Sequence, residues 1–291
     1  MNLDAKILVT GVKGQLGYDV CRELKERGYT NYRGIDIEDL DITDEAAVLK
    51  YIKEYNPDVV MHNAAWTAVD KAEEFKDKVY AVNALGPKYI AEACKEVGAK
   101  MMFISTDYVF PGDGDKFYEV DDKKGALGAY GLTKSQGEDF VKDILDKYYI
   151  IRISWVFGIN GNNYVKTMLK LAETKTELNI VADQIGSPTY TYDLSKLMCD
   201  MIETDKYGVY HATNEGICSW YDFTNYIYKV ANINTVKVNP ITTKEYQQMV
   251  KQAFRPLNSR MSKDKLEKMG FKRLPTWQDA VERYIHNELK R

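Results

Sequence analysis

The chain has 291 residues, of which 45% are hydrophobic and 29% charged, and its formal net charge is −3. A chain of this length can bury a full hydrophobic core without disulfide or metal cross-links. Its acidic and basic residues are mixed, with no long basic run, which argues against a nucleic-acid partner. The four cysteines are scattered, the first residues lack the apolar core of a signal peptide, and no stretch has the apolar length of a membrane span. We therefore expect a soluble, cytoplasmic enzyme-like chain with no membrane partner.

Strand-like and helix-like segments alternate through the first half of the chain. The predicted strands are residues 6–10, a segment ending near 36, 58–62, 100–105 and 148–154. The predicted helices are residues 16–27, 45–55 (capped by Thr43 or Asp44), 78–97 and 129–145. Apolar runs separated by amphipathic helices are typical of an α/β fold with a doubly wound parallel sheet of the Rossmann type, which binds ligands at the carboxyl ends of its strands.

The pattern loosens after residue 155. Strand candidates at 178–181 and 208–211 continue the alternation, and a helix is predicted over 276–290. We predict a dinucleotide-binding domain over residues 1–155, to which segments from about 178–214 return. Residues 156–291 would form mainly a smaller, interleaved C-terminal substrate lobe.

Gly11, Gly14 and Gly17 follow the first strand and open a helix. Glycines at this position permit a tight turn, let the backbone approach a pyrophosphate and allow close packing of helix on strand. The helix N-terminus adds amide donors for phosphates. This position predicts a dinucleotide-binding loop, in which Gln15 and Leu16 also contact the cofactor.

Asp36 lies 19 residues after Gly17, near the end of the second strand. A carboxylate there can accept hydrogen bonds from an adenosine ribose and disfavours a 2′-phosphate, which favours NADH. Lys13 and Arg33 are close enough in sequence to keep NADPH open, and a surface aspartate in a turn is the alternative interpretation. The further predicted cofactor contacts are Asp41, Ile42, Ala64, Ala65 and Trp66.

Tyr130 and Lys134 are four residues apart at the start of a predicted helix, so their side chains share one face. A neighbouring ammonium lowers the pKa of a phenol, which is ordinarily near 10. In a chain with 22 tyrosines this pair alone is weak. Thr106, where the fourth strand ends, adds a hydroxyl that can bind a carbonyl oxygen. The three together predict carbonyl reduction.

This group resembles the Thr/Ser–Tyr–Lys triad of the short-chain dehydrogenase/reductase superfamily, in its extended branch. Seven blocks, in the same order along nearly the whole chain, resemble the dTDP-4-dehydrorhamnose reductase family. They are GVKGQLG (11–17), NAAWTAVDKAE (63–73), STDYVF (105–110), RISWVFG (152–158), NYVKTM (163–168), DQIGSPT (183–189) and RPLNS (255–259).

The resemblance implies NAD(P)H-dependent reduction of dTDP-4-dehydro-L-rhamnose to dTDP-L-rhamnose. It makes Tyr130 the proton donor, Lys134 the residue that tunes the phenol and contacts the cofactor, and Thr106 the carbonyl-binding hydroxyl. The implied substrate contacts are Thr106, Asp107, Trp155 and Arg255, with Arg255 on the diphosphate. The partner is then a nucleotide sugar. No metal site is predicted, and a homodimer is left open.

Other functions of the same superfamily share some of these residues. A sugar-nucleotide dehydratase is disfavoured, because the related dehydratases place an acidic pair after the threonine, whereas here Asp107 is followed by Tyr108. Another keto-sugar reductase or an epimerase stays open, since these enzymes share the tyrosine–lysine pair. A non-catalytic NAD(P)-binding regulatory subunit is disfavoured by the presence of the triad and all three glycines.

Overall fold

The centre of the molecule is a parallel β-sheet. In the computed structural model, which describes residues 2–291, the strands are β1 Ile7–Thr10, β2 Tyr32–Ile35, β3 Val59–His62, β4 Lys100–Thr106, β5 Tyr148–Ile153, β6 Val156–Phe157, β7 Glu177–Val181, β8 Ile185–Gly186, β9 Thr189–Tyr190, β10 Gly208–His211, β11 Cys218–Ser219 and β12 Lys237–Ile241. Six of them form one sheet in the order β10–β5–β4–β3–β1–β2, and every neighbouring pair is parallel. The predicted fold class is confirmed.

Helices cover both faces of this sheet. They are α1 Gln15–Glu26, α2 Glu45–Tyr55, α3 Val69–Ala72, α4 Lys76–Tyr80, α5 Gly86–Val97, α6 Ala129–Ile144, α7 Tyr164–Leu171, α8 Thr191–Ile202, α9 Trp220–Val230, α10 Thr243–Met249, α11 Asp264–Lys268 and α12 Trp277–Arg283. One apolar cluster lies between the sheet and α1 and α8, and a second lies between the sheet and α2, α5 and α6. Among residues 2–291, no helix combines the length and apolarity needed to cross a membrane.

The predicted helices are present with small differences. Asp44 caps α2, accepting a hydrogen bond from the Ala47 amide at 3.0 Å. The helix predicted over 78–97 is a continuous run in which a π-helical turn, Ala81–Leu85, joins α4 to α5. The final helix likewise passes from α12 into a π-helical turn at Tyr284–Glu288. These wide turns shift the side chains that follow them relative to a regular α-helix.

The chain reverses its direction of winding between β1 and β3. From β1 it passes to β2 on one side, and it then returns to place β3 on the other side of β1. In the register of these strands, Thr10 lies opposite both Ile35 and His62, so all three strands end at the same edge. A reversal of this kind opens a crevice above the carboxyl ends of the strands, where α/β proteins bind their ligands.

A second group of elements packs around an aromatic core. Phe157, Phe223, Trp277 and Tyr284 lie in one buried cluster, which α7, α9 and α12 surround. Here β7 pairs in parallel with β12, β6 with β9, and β8 with β11 in antiparallel fashion. All of these elements come after β5 in the chain.

One predicted strand lies in a different sheet from the one expected. Residues 178–181 were predicted to continue the central alternation, but β7 pairs with β12 in a separate two-stranded sheet. The return to the central domain begins instead at α8, which packs on α1, and continues with β10 beside β5. A short apolar run shows that a segment is buried but does not identify its partner strand.

Candidate active site

A cavity of about 1250 Å³ lies above the carboxyl ends of the central strands. Its walls come from the loops after β1, β3, β4 and β5 on one side, and from α7, β7, α10 and the segment after α10 on the other. Pockets for a single drug-sized ligand usually measure about 300–1,000 Å³. The cavity therefore has room for two ligands side by side.

At its glycines, the loop after β1 brings bare backbone to the floor of this cavity. Gly11 has a φ of +70°, and a Cβ there would lie 2.8 Å from the Ala64 nitrogen. A Cβ on Gly17 would lie 2.3 Å from the Gly11 carbonyl oxygen. The loop residues that line the cavity are Gly11, Lys13, Gly14, Gln15, Leu16 and Gly17. The loop thus fits a pyrophosphate, because its amides and the start of α1 are accessible at close range.

Asp36 directly follows β2, lies beside the glycine loop and also lines the cavity. One of its carboxylate oxygens accepts a hydrogen bond from the Lys13 amide at 2.8 Å, and the Lys13 ammonium pairs with Glu38 at 2.6 Å. Arg33 does not line the cavity, and its guanidinium lies over the ring of Tyr55, 4.4 Å from the centroid. Lys13 and Arg33 are the two basic residues that left NADPH open as the cofactor, and of these two Lys13 is the one that contacts Asp36.

The other predicted cofactor contacts are brought to the same cavity. Leu16, Asp41, Ile42, Ala64, Ala65 and Trp66 all line it. The backbone of Trp66 is held by Asn83, which accepts from the Trp66 amide at 2.8 Å and donates to its carbonyl at 3.1 Å. Asn83 is fully buried in the π-helical turn. Sequence analysis missed it, since nothing in the local pattern marks that turn.

Thr106, Tyr130 and Lys134 line the cavity at the end of β4, two strands along the sheet from the glycine loop. Thr106 ends β4, and the other two lie in the first turns of α6. A Cβ on Gly131 would lie 2.3 Å from the Tyr108 carbonyl, so glycine lets α6 approach the segment after β4. The Tyr108 and Tyr130 rings pack edge to face with centroids 5.4 Å apart. The structure thus brings the three predicted catalytic residues together.

Burial sets the protonation of this group. It raises the pKa of Tyr130 to about 12, an effect that a hydrogen bond with Thr106 opposes. It also lowers the pKa of Lys134 to about 7, which the charge of Glu138 opposes. Desolvation disfavours the charged forms of both side chains, and the expectation that Lys134 lowers the pKa of the phenol stays a prediction. The phenol is held in its proton-donating form.

Asp107 is a buried carboxyl beside the triad and lines the cavity. It accepts a hydrogen bond from the Thr106 hydroxyl at 2.9 Å and another from the Ser259 hydroxyl. Burial raises the pKa of Asp107 to about 6, and the two hydroxyls oppose that rise. Ser259 belongs to a block that carries the family resemblance, but no role was predicted for it.

Trp155 and Arg255, the remaining predicted substrate contacts, both line the cavity. Trp155 adopts a φ of +51° and stacks on Trp220, with the ring centroids 3.7 Å apart. A left-handed backbone is costly for a bulky residue and is found most often at functional sites. Arg255 pairs with Asp70 through two oxygens, at 2.8 and 2.9 Å.

The parallel sheet with its reversal point, the glycine loop and the Thr–Tyr–Lys group together define a class. The fold is that of the Rossmann-type, NAD(P)-binding reductases and epimerases.

Comparison with known proteins narrows this class. The family model described as the RmlD substrate binding domain matches residues 5–290. The spore coat polysaccharide biosynthesis protein SpsK of Bacillus subtilis is 41% identical over 280 residues, which cover 96% of each chain. A dTDP-4-dehydrorhamnose reductase from Clostridium acetobutylicum superposes with a TM-score of 0.94 at 43% identity, covering 98% of this chain and 100% of the other.

A dTDP-4-dehydrorhamnose reductase from Bacillus anthracis, solved in complex with NADP, superposes with a TM-score of 0.92. It is 40% identical and covers 97% of this chain, with 98% of its own length matched. The chain belongs to the RmlD family, the family of the dTDP-4-dehydrorhamnose reductases.

Proposed function

We propose that this protein reduces the 4-keto group of dTDP-4-dehydro-L-rhamnose to give dTDP-L-rhamnose, using NADH or NADPH. One observation carries the proposal: in a chain of this family, the glycine loop and the Thr106, Tyr130 and Lys134 side chains line a single cavity large enough for two ligands. The identity of the sugar and of its dTDP group is inferred from the relatives, which are named dTDP-4-dehydrorhamnose reductases.

The cofactor site is proposed on the floor and far end of the cavity. The amides between Gly11 and Gly17 would hold the pyrophosphate, and Asp36 the adenosine ribose. Asp41, Ile42, Ala64, Ala65 and Trp66 would border the rest of the dinucleotide. When bound, a reduced nicotinamide supplies a hydride, which is the chemistry that protein side chains lack.

The catalytic role of each residue follows from its protonation and its surroundings. Tyr130, whose buried phenol stays protonated, donates its proton to the carbonyl oxygen as that oxygen gains negative charge. Thr106 turns its hydroxyl from Asp107 to the same oxygen and stabilises the developing charge. Lys134, close to the phenol on α6, stabilises the phenolate that remains and holds the ribose of the nicotinamide.

The substrate site is proposed on the second wall of the cavity. Asp107 and Trp155 border the sugar, and Arg255 binds the diphosphate. With this division, residues 1–155 form the dinucleotide-binding domain and residues 156–291 mainly the substrate lobe, apart from the segments that return to the sheet. A homodimer is compatible with the proposal and is not required by it, because one chain lines the whole cavity.

The test is a turnover assay with the keto-sugar nucleotide made in situ, following the absorbance of the reduced nicotinamide. We expect rapid oxidation by the wild-type protein. Tyr130→Phe removes the proton donor and should lower turnover by roughly two to four orders of magnitude. It should leave dinucleotide binding, measured by fluorescence titration, unchanged.

Tyr18→Phe is the matched control, since Tyr18 is 44% exposed on α1 and does not line the cavity. Its turnover should equal that of the wild type. Near-normal turnover by Tyr130→Phe would show that Tyr130 is not the proton donor. Dinucleotide binding without turnover by the wild-type protein would instead point to another keto-sugar or to a regulatory subunit.

A further inference from the structure

The chain between α10 and Ser259 crosses the cavity mouth. We name residues 250–257 the crossing segment; it has no regular secondary structure and contributes Gln252, Arg255 and Pro256 to the lining. Its end is fixed by backbone hydrogen bonds, in which Leu257 and Asn258 donate to the Gly112 carbonyl, each at 2.9 Å. Its middle, residues 251–256, makes no backbone–backbone hydrogen bond with the rest of residues 2–291, and its contacts involve side chains.

Asp70 supplies that attachment from the other side of the mouth. It lies in α3, whose first residue, Val69, lines the cavity together with residues 66–67 just before the helix. Its carboxylate accepts two hydrogen bonds from Nη2 of Arg255, at 2.8 and 2.9 Å, and a third from the Ala253 amide at 2.8 Å. Three contacts on one carboxylate tie the crossing segment to the dinucleotide-binding side of the molecule.

These contacts occupy one corner of the guanidinium and leave the rest of it available. Nη1 makes only long contacts, at 3.5 Å with the Ala253 carbonyl and 3.4 Å with the Phe254 carbonyl. A guanidinium carries five N–H donors in a rigid fork, so one corner can hold a carboxylate while another binds a phosphate. The Arg255 side chain is 20% exposed and faces the cavity, while Asp70 is 58% exposed.

The same pair lies close to the catalytic group. The charges of both Asp70 and Arg255 act on the phenol of Tyr108. The Tyr108 ring in turn packs edge to face on Tyr130. Arg255 therefore lines the cavity in the neighbourhood of Tyr108 and Tyr130, and its ion-pair partner there is Asp70.

We propose that Asp70 is a positioning residue, which holds the Arg255 guanidinium in place so that it binds the diphosphate of the nucleotide sugar. The inference rests on the proposed function, because it takes the diphosphate of that substrate as the ligand of Arg255. A guanidinium fixed before binding loses less rotamer freedom on binding, and that preorganisation is what Asp70 contributes. Asp70 itself does not touch the ligand.

The experiment removes the charge of Asp70 and keeps its shape. In Asp70→Asn, the side-chain oxygen can still accept from the Ala253 amide, but the paired contact with Arg255 is lost. We expect the Kd of dTDP, measured by calorimetry, to rise about tenfold. The Kd of thymidine, which has no phosphate, should stay unchanged. In turnover, the KM for the keto-sugar nucleotide should rise by the same factor, with kcat and the KM for NADH unchanged.

Two further variants complete the design. Asp77→Asn, an exposed aspartate on neighbouring α4, is the matched control and should behave as the wild type. Arg255→Met should weaken dTDP binding at least as much as Asp70→Asn does. On the Arg255→Met background, Asp70→Asn should have no further effect, because a positioning residue acts only through the residue that it positions.

Three results would overturn the inference. Tighter dTDP binding by Asp70→Asn would make Asp70 a competitor of the diphosphate, and equal losses for dTDP and thymidine would make its role one of packing. Additive effects of the two substitutions would make it independent of Arg255. Failure of the proposed function is separate: wild-type protein that binds dTDP without reducing the keto-sugar leaves the Asp70 result standing.

Discussion

At the level of single residues, Asp36 is the residue that we propose to select between the two nicotinamide cofactors. Its carboxylate can accept hydrogen bonds from both ribose hydroxyls of NADH and repels the 2′-phosphate of NADPH. The ammonium of Lys13, whose amide donates to Asp36, is paired with Glu38. We expect Asp36→Asn to lower kcat/KM with NADH and to spare NADPH, so that the ratio of the two shifts at least about tenfold towards NADPH.

Steady-state kinetics with each cofactor measure this ratio. Asp121→Asn, on an exposed loop away from the cavity, is the control and should leave the ratio unchanged. An equal loss with both cofactors would show that Asp36 holds the loop, through its bond to the Lys13 amide, and does not select the cofactor.

A second residue-scale effect concerns stability and comes from Asp19 on α1. Its side chain is fully buried, one oxygen accepts a hydrogen bond from Thr191, and the other has no hydrogen-bond partner among residues 2–291. Burial raises the pKa of Asp19 to about 6 from an ordinary value of 3.8. The folded state therefore binds this proton more tightly than the unfolded state does.

The stabilising contribution of protonated Asp19 is complete below about pH 4 and is lost as the pH rises through about 6. A difference of about two pKa units corresponds to roughly 3 kcal/mol of unfolding free energy. The side chain of Asp19→Asn stays neutral, so we expect the unfolding free energy of this variant to fall less between pH 4 and pH 7 than that of the wild type. At pH 7 the variant should be more stable than the wild type by about 1–3 kcal/mol. Urea unfolding at pH 4, 5, 6 and 7 measures these free energies.

Asp107 has a raised pKa as well, so part of the slope should remain in Asp19→Asn. A variant that is destabilised equally at every pH would show that the hydrogen bond from Thr191 matters more than the charge.

What the sequence predicts at this scale depends on how far apart the partners lie. The glycines, Thr106, Tyr130 and Lys134 were found because each sits beside a strand or helix end that the pattern identifies. The pairing of Asp70 with Arg255 spans 185 residues, and that of Asp107 with Ser259 spans 152. No local pattern carries such contacts, so they appear only when the fold brings the segments together.

At the level of elements, helix α6 is fastened to strand β5 by a buried ion pair. Glu138 and Arg152 are almost completely buried and form two parallel hydrogen bonds, each of 2.8 Å. Glu138 lies one helical turn beyond Lys134, so the pair fixes the helix that carries Tyr130 and Lys134, the proposed catalytic tyrosine and lysine. Removing one partner from such a pair leaves the other charge buried and unpaired, which typically lowers the unfolding free energy by about 3–5 kcal/mol.

We therefore expect Arg152→Met to lower the unfolding free energy by about 3–5 kcal/mol, measured by urea unfolding at pH 7. The double variant Arg152→Met/Glu138→Met leaves no unpaired carboxylate and should recover much of that loss. A double variant less stable than Arg152→Met would show that the packing of the two side chains, and not their charges, holds α6 in place.

Elements were predicted well where burial alone decides them. The fully buried strands β1, β3 and β5 and the amphipathic helices beside them follow from periodicity. Strand β7 was assigned to the wrong sheet because its partner β12 lies 60 residues further along the chain. The π-helical turn at Ala81–Leu85 was also missed, since a sequence that forms it differs little from that of a regular helix.

At the level of the whole molecule, one cavity is built between two sets of elements with separate cores. The glycine loop and the ends of β1 and β3 belong to the sheet and its two apolar clusters. The opposite wall, from α7, β7 and α10, belongs to the aromatic cluster or lies beside it. If each wall takes one ligand, the two ligands should order different parts of the chain.

Hydrogen exchange followed by mass spectrometry tests this division. NADH alone should slow exchange in residues 11–17 and 63–66, because backbone amides there lie against the proposed dinucleotide site. The nucleotide dTDP alone should slow exchange in α7 and in the crossing segment, residues 250–257, where Arg255 is proposed to bind the diphosphate. Slower exchange around Asp36 with dTDP alone would place the nucleotide of the substrate in the adenosine site and reverse the proposed assignment of the two walls. The same experiment on Arg255→Met separates the cases further, since it should abolish protection of the crossing segment by dTDP and leave protection of residues 11–17 by NADH intact.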